Sequence, residues 1–370
     1  MKKKRTYALA KALLSIACLV TAPFLNAQTP VEPSSAEDVS TRNNVCCQFL
    51  RNWLGEDRQG WEPVGVMIFH ENDGTFIKPN ANADRHYTAG QGITVGWRHQ
   101  DSDPIANALG IEAESTAVGL TFVQQIFTPT DFDAPFPPDN DRPHAGYLYL
   151  GGFWQRQEQN HFDHFEIDLG VVGPSSWAEG AQEWIHDIRG LRDPDWRTQL
   201  GDELAVNFSY RRKWRTTAWL KDSWAVQAIP EIGVDVGNVY RRAHAGLVLR
   251  GGFNIPDDFG PAELIDPGAL TGRGLDGTSK CSFYVFAKAT GRYVEWNTFI
   301  EGSNTRNPSR SVSLEPWLGE LSAGIALDFR PYDGCTVGLT YSQRYYTREF
   351  EEQTTDDSIG AVAIRLRFDL

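Results

Sequence analysis

Gln182 and His186 stand four residues apart in a stretch where Ala178, Ala181, Ile185 and Ile188 recur at helical spacing and Gly190 follows as a C-cap. That spacing sets an amide and an imidazole on one face of a short helix. A neutral imidazole is suited to take a proton from water near neutral pH. Taken alone, a helix-surface histidine does nothing, so the reading depends on what else the chain supplies. Glu71-Asn72-Asp73-Gly74 and Asp84-Arg85-His86-Tyr87-Thr88-Ala89-Gly90 offer hard oxygen donors at Asn72 and Asp73, which suit calcium, and a hydroxyl at Thr88. Asn-Asp-Gly is also ordinary turn chemistry, and the spacing is not that of an EF-hand loop. A third stretch, Asp139-Asn140-Asp141-Arg142-Pro143-His144-Ala145-Gly146-Tyr147, reads as an acidic, proline-stiffened rim leading into a strand. No Gly-x-Ser-x-Gly elbow occurs, so no motif supports a serine triad.

The elements that must position these groups are strands. Phe165, Ile167, Leu169 and Val171 alternate with Glu166, Asp168 and Gly170 before Gly173-Pro174 breaks the segment. Leu204, Val206, Phe208 and Tyr210 alternate with polar neighbours, as do Val337, Leu339 and Tyr341. At the end of the chain Val362, Ile364, Leu366 and Phe368 face one way and Ala363, Arg365, Arg367 and Asp369 the other. A soluble sandwich would show the same alternation. An export signal, abundant Trp and Tyr, and a last strand that runs to the final residues favour an all-β fold, an antiparallel transmembrane β-barrel of about twelve strands with a short helix in an outer loop. With a periplasmic N-terminus, the connections at 70–86, 128–144 and 172–202 face the cell exterior. The turn at 330–334 and a long connection at 252–280 then face the periplasm. Inward Arg365, Arg367, Glu166 and Asp168 are placed to pair and plug the narrow lumen.

Composition sets the outer limits. Lys2, Lys3, Lys4 and Arg5 precede an apolar run, so residues 1–27 read as a signal peptide; 28–62 read as a partly disordered periplasmic arm and 63–370 as the barrel. A net charge of -13 argues against nucleic acid as a partner. Cys46, Cys47, Cys281 and Cys335 remain after the signal and allow three disulfide connectivities, none selected by the sequence. Their spacing is not that of a zinc site.

Taken together, Glu71-Asn72-Asp73, Asp84-Arg85 with Tyr87-Thr88-Ala89-Gly90, Asp141-Arg142-Pro143-x-Ala145-Gly146-Tyr147, and Gly170-Val171-Val172-Gly173-Pro174 followed by His186 resemble the outer-membrane lipid A 3'-O-deacylases. Order and spacing match over residues 66–196. The resemblance implies a calcium-dependent esterase in the bacterial outer membrane, its site facing the exterior, that removes the 3'-linked acyloxyacyl chain from lipid A of lipopolysaccharide. It assigns Asn72 and Asp73 to the calcium side, Thr88 and Gln182 to the active site, and His186 to the base; a monomer surrounded by outer-membrane lipids is expected. Two positions depart from the family pattern. Arg192 stands where the family type has a glutamate, and the second outer loop lacks the family's lysine, with Thr130 or its neighbours in its place. The rivals are an outer-membrane phospholipase with a serine nucleophile and a non-catalytic barrel or pore that keeps the loops.

Overall fold

A computed structural model describes residues 50–368 apart from 56–59, 74–84, 100–102, 112, 135, 267, 272–274, 276–278, 306–309 and 333. The signal peptide and most of the arm therefore lie outside the described residues. Strands β1 (Trp61–Asn72), β2 (His86–His99), β3 (Ser115–Thr128), β4 (Ala145–Gln157), β5 (His161–Val172) and β6 (Glu203–Trp214) follow one another as antiparallel neighbours. The wall continues through β7 (Thr216–Lys221), β8 (Trp224–Gly237), β9 (Tyr240–Phe253), β10 (Cys281–Asn297), β11 (Trp317–Tyr332), β12 (Cys335–Tyr346) and β13 (Asp357–Phe368). β13 closes on β1. Only Arg215 separates β6 from β7, and both pair with β8, so the two act as one bent strand and the sheet is a closed barrel of twelve. Helices α1 (Pro104–Leu109), α2 (Ala178–Arg189) and α3 (Thr298–Glu301) lie in the connections. β1 starts ahead of the expected boundary at 63, and Trp97 Nε1 donates to the Leu54 carbonyl at 3.0 Å, which ties the chain before the barrel to β2.

Period-two alternation decides which side faces which solvent. Along β5, Ile167 and Leu169 are exposed while Glu166 and Asp168 are buried; along β6, Leu204, Val206 and Phe208 are exposed while Asn207, Ser209 and Arg211 are buried. Apolar side chains outside and charges inside invert a water-soluble protein, which is the arrangement of a barrel in lipid. No helix among the described residues is long and apolar enough to cross a membrane.

The lumen is filled, though not as the sequence suggests. The 254–280 connection does not hang below the barrel. It turns back inside, where Phe259 stacks on Phe162 and Leu264 and Leu270 pack with Met67, Phe69 and Phe153. Arg365 and Arg367 pair not with Glu166 and Asp168 but with Asp258 of this plug, at 3.2 and 3.9 Å, and Arg365 also with Asp328 at 2.8 Å. Asp258 also accepts from Arg250, Lys213 meets Asp266 at 2.5 Å, and Lys288 meets Glu263 at 3.0 Å. A narrow charged lumen needs counterions, and the plug carries three acids into it. Gly92 makes room for it: a Cβ there would lie 3.0 Å from the Leu264 side chain. At the opposite end, Cys335 forms a disulfide whose partner lies outside the described residues, and Cys281 is an exposed free thiol.

Candidate active site

The connections at 73–85, 129–144, 173–202, 298–316 and 347–356 all emerge at one rim of the barrel. There β1 ends at Asn72, in register with Ala89 of β2. Asn72 Nδ2 donates to the Thr88 carbonyl at 3.2 Å, and the Asp73 amide donates to the same oxygen at 3.1 Å. Asp73 Oδ2 accepts from the Arg85 amide at 2.8 Å. Between Tyr87 and Ala89 the β2–β3 register shifts, and at this bulge the buried Thr88 hydroxyl meets that of Thr128 at 2.7 Å. A bulge is a common way to re-aim a side chain at a rim. Asn72, Asp73 and Thr88 thus form one hydrogen-bonded knot. Beneath it, Glu71 accepts from the Tyr87 hydroxyl at 2.9 Å and from the Leu264 amide of the plug at 3.3 Å, and pairs with Arg344.

α2 forms a second knot. Its start follows Gly173-Pro174, and Gly190, in the left-handed conformation, caps its end. The expected helix is present, but its buried face is Ala178, Gln182 and His186, while Ile185 and Ile188 are exposed. The polar pair covers the rim and the isoleucines look away from the barrel. Gly146 lets the helix approach, since a Cβ there would lie 2.3 Å from that of Ala178. Trp196 Nε1 donates to Gln182 Oε1 at 3.0 Å, and Trp196 packs with Ala178, Ala181, Ile126 and Ala89. Ala89 adjoins Thr88, so this packing links the two knots. The helix that carries Gln182 and His186 therefore packs, through Trp196, against β2 and β3.

His186 Nδ1 bonds the Arg192 carbonyl. A carbonyl can only accept, so Nδ1 carries the hydrogen and the lone pair of the neutral ring is at Nε2. Phe132 packs edge-on to the ring at 5.6 Å. Arg192 itself turns outward: its guanidinium is 75% exposed and pairs with Asp133 at 2.5 Å. The charge reversal expected beside the site is directed to Asp133, and it is the backbone carbonyl of residue 192 that bonds His186. The Gln182 amide nitrogen is buried with no hydrogen-bond partner among the described residues.

Several groups of the third stretch are buried at this rim, which its acidic, proline-rich composition does not indicate. Asp141-Arg142 is not a solvated rim. Asp141 accepts from the Thr130 and Arg142 amides, both at 2.8 Å, and the fully buried Arg142 donates to Glu349 at 2.8 Å and to the Phe299 carbonyl at 3.4 Å, binding three of the rim connections together. His144 donates to the Phe132 carbonyl at 3.1 Å, and burial lowers its pKa to about 4 despite that bond. No group of three or more His, Cys, Asp or Glu suited to a metal occurs among the described residues; the Asn72 and Asp73 oxygens are hard donors of the kind calcium takes.

The model of the family described as outer membrane protein LpxR matches residues 13–368. The chain belongs to the LpxR family. LpxR from Salmonella typhimurium is 21% identical and superposes with a TM-score of 0.66 over 82% of this chain and 100% of that one, a likeness of fold. The β domain of the Bordetella autotransporter BrkA follows at 13% identity and a TM-score of 0.44, over 83% of this chain and 98% of that one. No curated protein sequence matches the chain. Within this LpxR-family barrel, both knots fall inside the matched region, on β1, on β2 and on the β5–β6 connection.

Proposed function

We propose that this LpxR-family protein is an outer-membrane esterase that removes the 3'-linked acyloxyacyl chain from lipid A, with the site open to the cell exterior. The carrying observation is His186, buried on the rim-facing side of α2 with Nδ1–H held by the Arg192 carbonyl. That bond fixes the tautomer a general base needs. His186 Nε2 takes a proton from water as its oxygen attacks the ester carbonyl carbon, then returns it to the departing sugar oxygen. The products are a fatty acid and the deacylated lipid. The Gln182 amide supplies a donor to the substrate, Thr88 sets the position of Asn72 through its backbone, and Ile185 and Ile188 offer apolar surface to acyl chains beside the site.

Asn72 Oδ1 and the Asp73 carboxylate are hard oxygens at the end of β1, brought together by the Thr88 carbonyl, and they would hold calcium. When bound, the ion would supply positive charge to the ester carbonyl oxygen. The barrel closes on itself, and we read it as acting as a monomer. The test is purified protein incubated with lipopolysaccharide and, separately, glycerophospholipid, with and without a chelator. Calcium-dependent loss of the acyloxyacyl mass from lipid A is expected. Cleavage of glycerophospholipid alone would mark a phospholipase, and undiminished turnover after exhaustive chelation would remove calcium from the account.

A further inference from the structure

His86 opens β2, Asp357 opens β13, and Thr130 lies just past β3, so three strand ends bring three side chains to one point on the outer rim. His86 Nδ1 is 2.6 Å from Asp357 Oδ2, and His86 Nε2 is 3.2 Å from Thr130 Oγ1. The carboxylate can only accept, so Nδ1 carries the hydrogen and Nε2 is left to accept from the threonine hydroxyl. Asp357 is itself held by Gln353 Nε2 at 3.0 Å, and the imidazole is fixed edge-on by Phe350 at 5.3 Å. His86 and Asp357 are buried while Thr130 is exposed, and His86 sits at φ 60, a left-handed backbone that a non-glycine residue seldom keeps without constraint. Nucleophile to base to orienting acid is the order of contacts that activates a hydroxyl.

We propose that Thr130, His86 and Asp357 form a nucleophilic acyl-transfer centre for carboxylic esters of fatty acids. Thr130 Oγ attacks the ester carbonyl carbon as His86 Nε2 takes its proton. The carbon–oxygen bond to the alcohol breaks, and the proton passes to the departing oxygen. Water, deprotonated by His86, then cleaves the threonine ester to release the fatty acid and restore the hydroxyl. A cross-strand staple would need the Asp357–His86 bond but no exposed hydroxyl on the remaining ring nitrogen. His86 pairs with Thr128, whose hydroxyl meets that of Thr88, so the centre lies one step outward from the Asn72–Thr88 knot. It involves none of α2 and goes beyond the reading of His186.

The test is the full-length protein in detergent, treated with an alkyl fluorophosphonate and mapped by peptide mass spectrometry, with turnover of a p-nitrophenyl fatty-acyl ester measured in parallel. The phosphonyl adduct is expected on Thr130 in the parent and equally in His186→Ala. Thr130→Val and His86→Gln should lose the adduct and, in the His186→Ala background, ~10²–10⁴-fold of ester turnover while keeping the heat-modifiable mobility of a folded barrel. An unlabelled Thr130 in the folded parent, or turnover in the His186→Ala background that survives Thr130→Val, overturns the proposal. An unlabelled Thr130 together with lipid A deacylation that depends on His186 would make the trio a staple and leave the proposed function standing. A labelled Thr130 with lipid A untouched would do the reverse.

Discussion

Arg192 shows how far a side chain's identity can stand from its role. Its carbonyl orients His186 while its guanidinium reaches solvent and Asp133. Arg192→Ala should accordingly leave deacylation near the parental rate, measured as turnover on lipopolysaccharide. A collapse of activity would place the guanidinium in the site after all. Replacing His186 by Ala should cost at least ~10²-fold, since a positioned general base is worth ~10²–10⁴. Asn72, Asp73 and Thr88 were legible in the sequence because each sits in a short motif at a strand end, and strand pairing then joins them. His86 was not, although it lies inside one of those motifs, because its acid is 271 residues away on another strand. Nothing in local spacing records a contact made by closing a barrel.

At the scale of the element, α2 was legible in its limits but not in its orientation. An isoleucine stripe points inward where a helix separates a core from water, and here the isoleucines are exposed while Gln182 and His186 are buried against a polar rim. The connections at that rim are held to it by buried polar groups, and one of them titrates. His144 is 0% exposed, and burial holds its pKa at about 4, below the ordinary 6.5. The unfolded segment therefore gains a proton before the folded one does. Docking of the 129–144 and 173–202 connections is at full strength above pH 6.5 and weakens as pH falls toward 4, by up to about 3 kcal/mol. Hydrogen exchange of these connections at pH 7.5 and pH 5 should show faster opening at the lower pH. Equal protection at both would mean that His144 is not part of what holds them.

For the whole molecule, alternation and the aromatic content made the barrel legible, and the number of strands with it. The plug was not legible, because 254–280 is rich in turn residues and the partners of its acids come from β6, β9, β10 and β13. Asp258 lies fully buried between Arg250 and Arg365. Asp258→Ala should destabilise the barrel by roughly 3–5 kcal/mol by leaving buried cations without their acid, read as a lower urea midpoint in lipid vesicles. With the plug seated, the protein should give no steady conductance in a planar bilayer, and excision of residues 258–270 should open one. A steady conductance from the intact chain would favour a pore instead. The most direct test of the central claim is mass spectrometry of lipid A from outer membranes carrying either the parent protein or His186→Ala, both shown to be folded by heat-modifiable mobility. The parent should remove the mass of the 3'-linked acyloxyacyl chain and the variant should not; unmodified lipid A in the presence of the folded parent, or equal loss with the variant, would contradict it.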